Sequence, residues 1–171
     1  MDKGYVHIYT GNGKGKTTAA FGVALRSLMA GKQVYVGQFV KGMKYSEVAL
    51  ENLVDNLKVE QYGLDCFIEK DPTEEDTARA RQGYLKALEI VKSSRYDLVI
   101  LDEIFIAYHY KMLSLEDLEE LLIQRNPGVE VIMTGRYCPE ELYERADLVT
   151  EMKEIKHYYQ QGVLSRKGID V

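Results

Sequence analysis

Residues 10–18 read TGNGKGKTT. Gly15-Lys16-Thr17 closes a phosphate-binding loop of the form G-x-x-x-x-G-K-[ST], but Thr10 stands where the first glycine belongs. The glycines fall instead at Gly11, Gly13 and Gly15. Glycine turns its backbone at little cost, so such a loop can aim successive N–H groups at an anion. A helix opening near Lys16 adds the partial positive charge of its N-terminus. Lys16 supplies a point charge, and the Thr17 hydroxyl suits Mg²⁺. Lys14 is an extra cation between the glycines; it serves either the anion or only the solvated surface.

The stretch LVILDE (98–103) runs apolar into Asp102 and Glu103. A carboxylate there can meet Mg²⁺ directly or through water, as a Walker-B acid does, or can simply cap a helix. Three further cations are candidates. Lys41 closes GQFVKG (37–42), Arg136 closes TGR (134–136), and Arg26 lies ten residues beyond Lys16. Arg26 reads as an exposed helix arginine or as one reaching a nucleotide. Lys41 and Arg136 could touch phosphate or substrate, and Arg136 could equally pair with Asp102 or Glu103. His7, His109 and His157 have no metal-ligand spacing, and Cys66 and Cys138 form neither a zinc pattern nor a CxxC.

Short apolar runs and longer helical patterns must position these groups. Strands are expected at 5–10, 33–40, 58–63, 96–103, 129–136 and 147–152. Helices are expected at 16–30, 46–54, 71–94, 114–126 and 138–146. Pro72 and a run of acids suit the start of the third helix, and Ser114 with Asp117 suggests a capping box for the fourth. Alternation with near-continuous apolar strands predicts an α/β fold, a parallel sheet flanked by helices on both faces. The candidate residues then collect at the carboxyl ends of the strands, where such sheets bind ligands.

At 171 residues, 46% hydrophobic and 29% charged, the chain reads as one ordered domain over 1–171. A net charge of −5 argues against a broad nucleic-acid surface. No apolar run is long enough to cross a membrane, and no leader pattern opens the chain. A cytoplasmic protein with reduced thiols is the expectation.

Taken together, TGNGKGKTTAAFG (10–22), GQFVKG, LDE (101–103), TGR, ADLVTEM (146–152), KH (156–157) and GVLSRKGID (162–170) resemble the P-loop type of ATP:corrinoid adenosyltransferase. The resemblance runs in order over nearly the whole chain. It implies a RecA-like P-loop domain that transfers the 5′-deoxyadenosyl group of ATP to a Co(I) corrinoid and releases intact triphosphate. It implies that Gly11, Asn12, Gly13, Lys14, Gly15, Lys16, Thr17 and Thr18 line the triphosphate, with Lys16 and Lys14 easing its departure. Arg26 joins the nucleotide site, Thr17 and Glu103 hold Mg²⁺ with Asp102 nearby, and Lys41, Phe67, Ile68 and Arg136 face the corrinoid. ATP and a reduced corrinoid are the implied substrates, with a flavin reductant and a second copy of the chain as partners.

Two departures stand out. Members often carry a segment before the first strand that covers the site; here only a few residues precede YVHIYT, so cover must come from elsewhere or be absent. Members also carry Gly-x-Gly-Phe-x-Trp after the third strand; here the stretch is GLDCFIEK (63–70), and Cys66 and Ile68 replace the two aromatics. Phe67 is either the wedge over the corrin face or a core residue. A P-loop NTPase or kinase cleaving at a phosphate, and a non-catalytic nucleotide or corrinoid sensor, are the competing readings.

Overall fold

The computed structural model describes residues 3–42, 45–64 and 71–170. Six strands form one all-parallel sheet: β1 Val6–Thr10, β2 Val34–Phe39, β3 Leu57–Tyr62, β4 Leu98–Asp102, β5 Glu130–Thr134 and β6 Leu148–Glu151. Their order is β3-β2-β4-β5-β1-β6. Four helices connect them: α1 Lys16–Met29, α2 Glu74–Lys92, α3 Ile104–His109 and α4 Leu115–Ile123.

Side chains alternate across a strand, so β4 feeds two cores at once. Leu98 and Ile100 pack with Ala20, Phe21, Ala24 and Leu28 of α1 on one face. Val99 and Leu101 pack with Tyr84, Ala87, Ile90 and Leu118 of α2 and α4 on the other. Burial on both faces explains why β2 and β4 are apolar nearly throughout. The edge strand β6 differs: all four of its residues are exposed.

The helix ends follow their capping residues. Thr73 caps α2 in a full capping box with Asp76, which moves the start to Glu74, beyond Pro72. Ser114 and Asp117 cap α4 in the same way. The segments expected as helices at 46–54 and 138–146 are 3₁₀ turns, Ser46–Asn52 and Glu140–Arg145. Ser46–Asn52 has no buried residue and Glu140–Arg145 only Leu142, so neither presents the apolar face that holds a short α-helix against a core. Helix α3 was not anticipated; it is six residues long, with Ile104, Phe105 and Ala107 buried, and shows no full helical period in the sequence.

Candidate active site

The loop 11–15 joins β1 to α1 at the carboxyl end of the sheet. Gly11 and Gly15 have φ of +97° and +118°, a region closed to most side chains. A Cβ on Gly11 or Gly13 would lie 2.5 or 2.7 Å from the Met152 carbonyl oxygen, so the loop packs directly on the chain leaving β6. The Gly13 N–H donates to that same carbonyl at 2.7 Å.

Lys16 lies inside this curve, only 7% exposed, and its ammonium donates to the carbonyls of Gly11 and Gly13 at 2.8 Å each. Burial lowers its pKa most, with Arg136 and Lys41 adding to the effect and Glu103 and Asp102 opposing it. Among the described residues no carboxylate is ion-paired with it, so its charge is held in place without being neutralised.

Beneath the loop, Asp102 is fully buried and accepts from four side chains. Thr17 Oγ1 donates to Oδ1 at 2.8 Å and Thr134 Oγ1 at 2.7 Å. Lys41 Nζ donates to Oδ2 at 2.8 Å and Gln38 Nε2 at 3.2 Å. One carboxylate thus ties together α1, β5, β2 and the loop that follows β2. Satisfied partners of this kind are what make a buried carboxylate tolerable. Lys41 also reaches Thr17 Oγ1 at 3.3 Å and lies over the Tyr45 ring. Burial alone would depress the Lys41 pKa, but Asp102, Glu103 and Glu47 together raise it, so it stays charged.

Glu103 follows in the left-handed conformation, φ 58°, as the residue preceding α3. Its N–H donates to Thr134 Oγ1 at 3.0 Å, which fixes the turn. Such a conformation in a non-glycine residue costs energy and tends to occur at working sites. The turn sends the Glu103 side chain into the cleft, where its carboxylate has no hydrogen-bond partner among the described residues. Burial and, next, the Asp102 charge raise its pKa, against the pull of Lys41, Lys16 and Arg136.

These groups line a cleft of about 620 Å³, a size suited to a nucleotide. Asn12 to Thr18, Lys41, Glu103 and Arg136 all border it. Its opposite wall is the C-terminal segment, including His157, Tyr158, Tyr159, Ile169 and Asp170. Chain from the C-terminal segment thus borders the cleft on that side.

Three candidate residues stand differently from expectation. Lys14 turns from the loop to the C-terminal segment, 2.7 Å from Asp170 Oδ1 and 3.1 Å from the Ile169 carbonyl. Lys41, expected to face the corrinoid, turns its ammonium inward because the buried Asp102 needs a counter-charge. Arg26 is exposed in the last turn of α1 and does not line the cleft. At 1.5 Å per residue, ten residues carry it about 15 Å along the helix from Lys16, more than an arginine side chain spans. Phe67 and Ile68, with Cys66, lie outside the described residues. Gln38 and Thr134 had no assigned role, although both stand within the stretches GQFVKG and TGR; their signal is a polar side chain at a strand position that is otherwise buried.

The family model described as ATP:corrinoid adenosyltransferase BtuR/CobO/CobP matches residues 2–171. The chain belongs to that family. It is 37% identical to the corrinoid adenosyltransferase of Escherichia coli (strain K12), over 99% of this chain and 86% of the relative. It is 35% identical to corrinoid adenosyltransferase CobA of Salmonella typhimurium, with 99% and 86% covered, and 34% identical to the corrinoid adenosyltransferase of a Sinorhizobium species, with 99% and 81% covered. The protein is an ATP:corrinoid adenosyltransferase of corrinoid cofactor biosynthesis or salvage. No helix among the described residues is long and apolar enough to cross a membrane.

Proposed function

We propose that the cleft holds ATP with its triphosphate in the loop 11–15 and its C5′ turned toward a Co(I) corrinoid. The Co(I) electron pair forms the Co–C5′ bond while the C5′–O bond breaks, and that bonding pair leaves on triphosphate. The observation that carries this reading is Lys16, a buried cation presented inside an anion-shaped loop and not cancelled by a carboxylate. A leaving group bearing about four negative charges gains most from such preorganised donors. The nucleophile needs no activation by the protein, so the chain's work is positioning and charge stabilisation.

The donor set also fits Mg²⁺. A magnesium ion bound with substrate phosphates uses one or two protein oxygens and keeps several waters. Glu103 offers a carboxylate free of hydrogen bonds among the described residues, and Thr17 offers an oxygen lone pair while its proton points to Asp102. Asp102, already accepting four donors, anchors Thr17 and Lys41 from behind. Mg²⁺ there would draw charge from the triphosphate as it departs. Arg136 at the rim faces the same charge or the corrinoid. Phe67 and Ile68 serve the corrinoid face. The protein works in the cytoplasm as a homodimer, with a flavin reductant supplying Co(I).

The test is incubation with MgATP and chemically reduced corrinoid, followed by separation of products. Adenosylated corrinoid and intact triphosphate in equal amounts are expected. Release of ADP with phosphate, or AMP with pyrophosphate, would instead establish cleavage at phosphorus, and binding without turnover would establish a sensor.

A further inference from the structure

The C-terminal segment contains one short 3₁₀ turn, Tyr158–Gln161, and neither strand nor α-helix from residue 153 to 170. Several of its apolar side chains face solvent, including Tyr159, Leu164 and Ile169. It is therefore not held by a core. What gathers it is Asp170, whose side chain is only 10% exposed. Its carboxylate accepts from the Tyr158 hydroxyl, from Arg166 Nε at 3.2 Å and from the Arg166 backbone N–H at 3.0 Å. The Arg166 guanidinium also lies 4.7 Å from the Tyr158 ring centre. This knot closes the segment on itself. Only then does Lys14 join it to the phosphate loop, through Asp170 Oδ1 at 2.7 Å and the Ile169 carbonyl at 3.1 Å.

A single exposed ion pair contributes little to stability, but here the ammonium also donates to a backbone carbonyl and the carboxylate belongs to a network. It also spans 155 residues of sequence between Lys14 and Ile169. We propose that Asp170 is a positioning residue that fastens the C-terminal segment as the outer wall of the nucleotide cleft, and that Lys14 is the latch of that wall, not a cation for the triphosphate. The inference rests on the reading of the cleft as the ATP site. It follows that Lys16 carries the loop's unpaired charge while Lys14 is spent on Asp170. With the triphosphate in the loop, the adenosine end of ATP meets the wall, so loosening the wall weakens ATP binding more than it slows bond breaking.

Steady-state kinetics and hydrogen exchange on the full chain test this. Asp170→Asn is expected to raise KM for ATP about tenfold with kcat within about threefold, the pattern of lost uniform binding. Lys14→Met should raise KM similarly, and the double variant should match the worse single variant, because paired residues are not additive. In ligand-free protein, both single variants should speed exchange at the Val163 and Ile169 amides, which are bonded to Tyr158 and Arg166 carbonyls. A Lys14→Met loss of about 10² in kcat beside a wild-type-like Asp170→Asn would return Lys14 to the triphosphate and overturn the proposal. Additive effects on KM, or exchange unchanged in both variants, would overturn it as well. The exchange measurement stands apart from the chemistry: if the products proved to be ADP and phosphate, the ATP-transfer reading would fall while the latch would still be judged.

Discussion

The cleft has a floor and a wall made in opposite ways. The floor is Asp102, Gln38 and Thr134, placed by parallel strands whose side chains are buried on both faces, with Thr17 of α1 and Lys41 from the loop after β2 bonded to Asp102. The wall is residues 153–170, which follow an edge strand with all four residues exposed and are gathered by one carboxylate. Moving a floor residue means disturbing a packed core or leaving a buried charge unpaired. Moving the wall means breaking ionic contacts near solvent. On the proposed reading of the cleft, that division serves a reaction that holds the triphosphate still while the adenosine end is admitted and then released. Segments that move in function are drawn from the least stable part of a structure.

The largest effect is expected at the phosphate loop that rests on the floor. Lys16→Ala removes the uncancelled cation, and loss of one such contact commonly costs ~10²–10³ in rate. Adenosyl transfer under saturating ATP should fall by at least that, with the thermal midpoint within a few degrees of wild type, since among the described residues the ammonium bonds only the loop's own carbonyls. A loss confined to KM would place the triphosphate elsewhere and erase the distinction between floor and wall.

The two regions also differ in how far the sequence disclosed them. The strands, the loop and the LDE turn were legible because each is a local pattern: apolar runs of strand length, glycines beside a lysine, acids at the end of an apolar run. The family resemblance added the reaction. Gln38 was harder to see, because a glutamine near a strand end becomes informative only when β4 is known to lie beside β2 and Asp102 opposite it. Lys14 was ambiguous for the same reason at longer range; nothing near residue 14 announces a partner at residue 170. Arg26 presents the opposite case. The resemblance drew it to the nucleotide, but helix geometry carries it away.

A smaller and more selective effect should follow at Glu103. Glu103→Gln keeps the shape and removes the charge, so the Mg²⁺ needed for half-maximal activity should rise several-fold. Ligand-free stability should move the other way. The folded-state pKa of Glu103 is raised by burial and then by Asp102, so its ionised form is disfavoured in the native protein. Its contribution to stability is full below the unfolded value of about 4.3 and is lost as pH climbs through the higher folded value. The variant should therefore melt above wild type at about pH 8, with the gap closing toward about pH 4. An unchanged Mg²⁺ requirement, together with a lower midpoint at neutral pH, would make Glu103 a structural acid of the turn.

The smallest effect is expected at Arg26, and it tests whether floor and wall complete the site within one chain. Arg26 is exposed, and its position in the last turn of α1 favours a positive charge by ~0.3–1 kcal/mol through the helix dipole. Arg26→Ala should lose about that much stability and change KM for ATP by less than about twofold, since no path within the protomer brings the side chain to the cleft. Urea titration and steady-state kinetics on the same preparation measure both. A tenfold rise in KM with stability unchanged would contradict the expectation in an informative way. It would mean that Arg26 reaches a nucleotide bound by another copy of the chain, and the effect should then weaken as the protein is diluted below its self-association constant. An effect independent of protein concentration would require α1 itself to shift when ATP binds, which the packing of Ala20, Ala24 and Leu28 beneath it opposes.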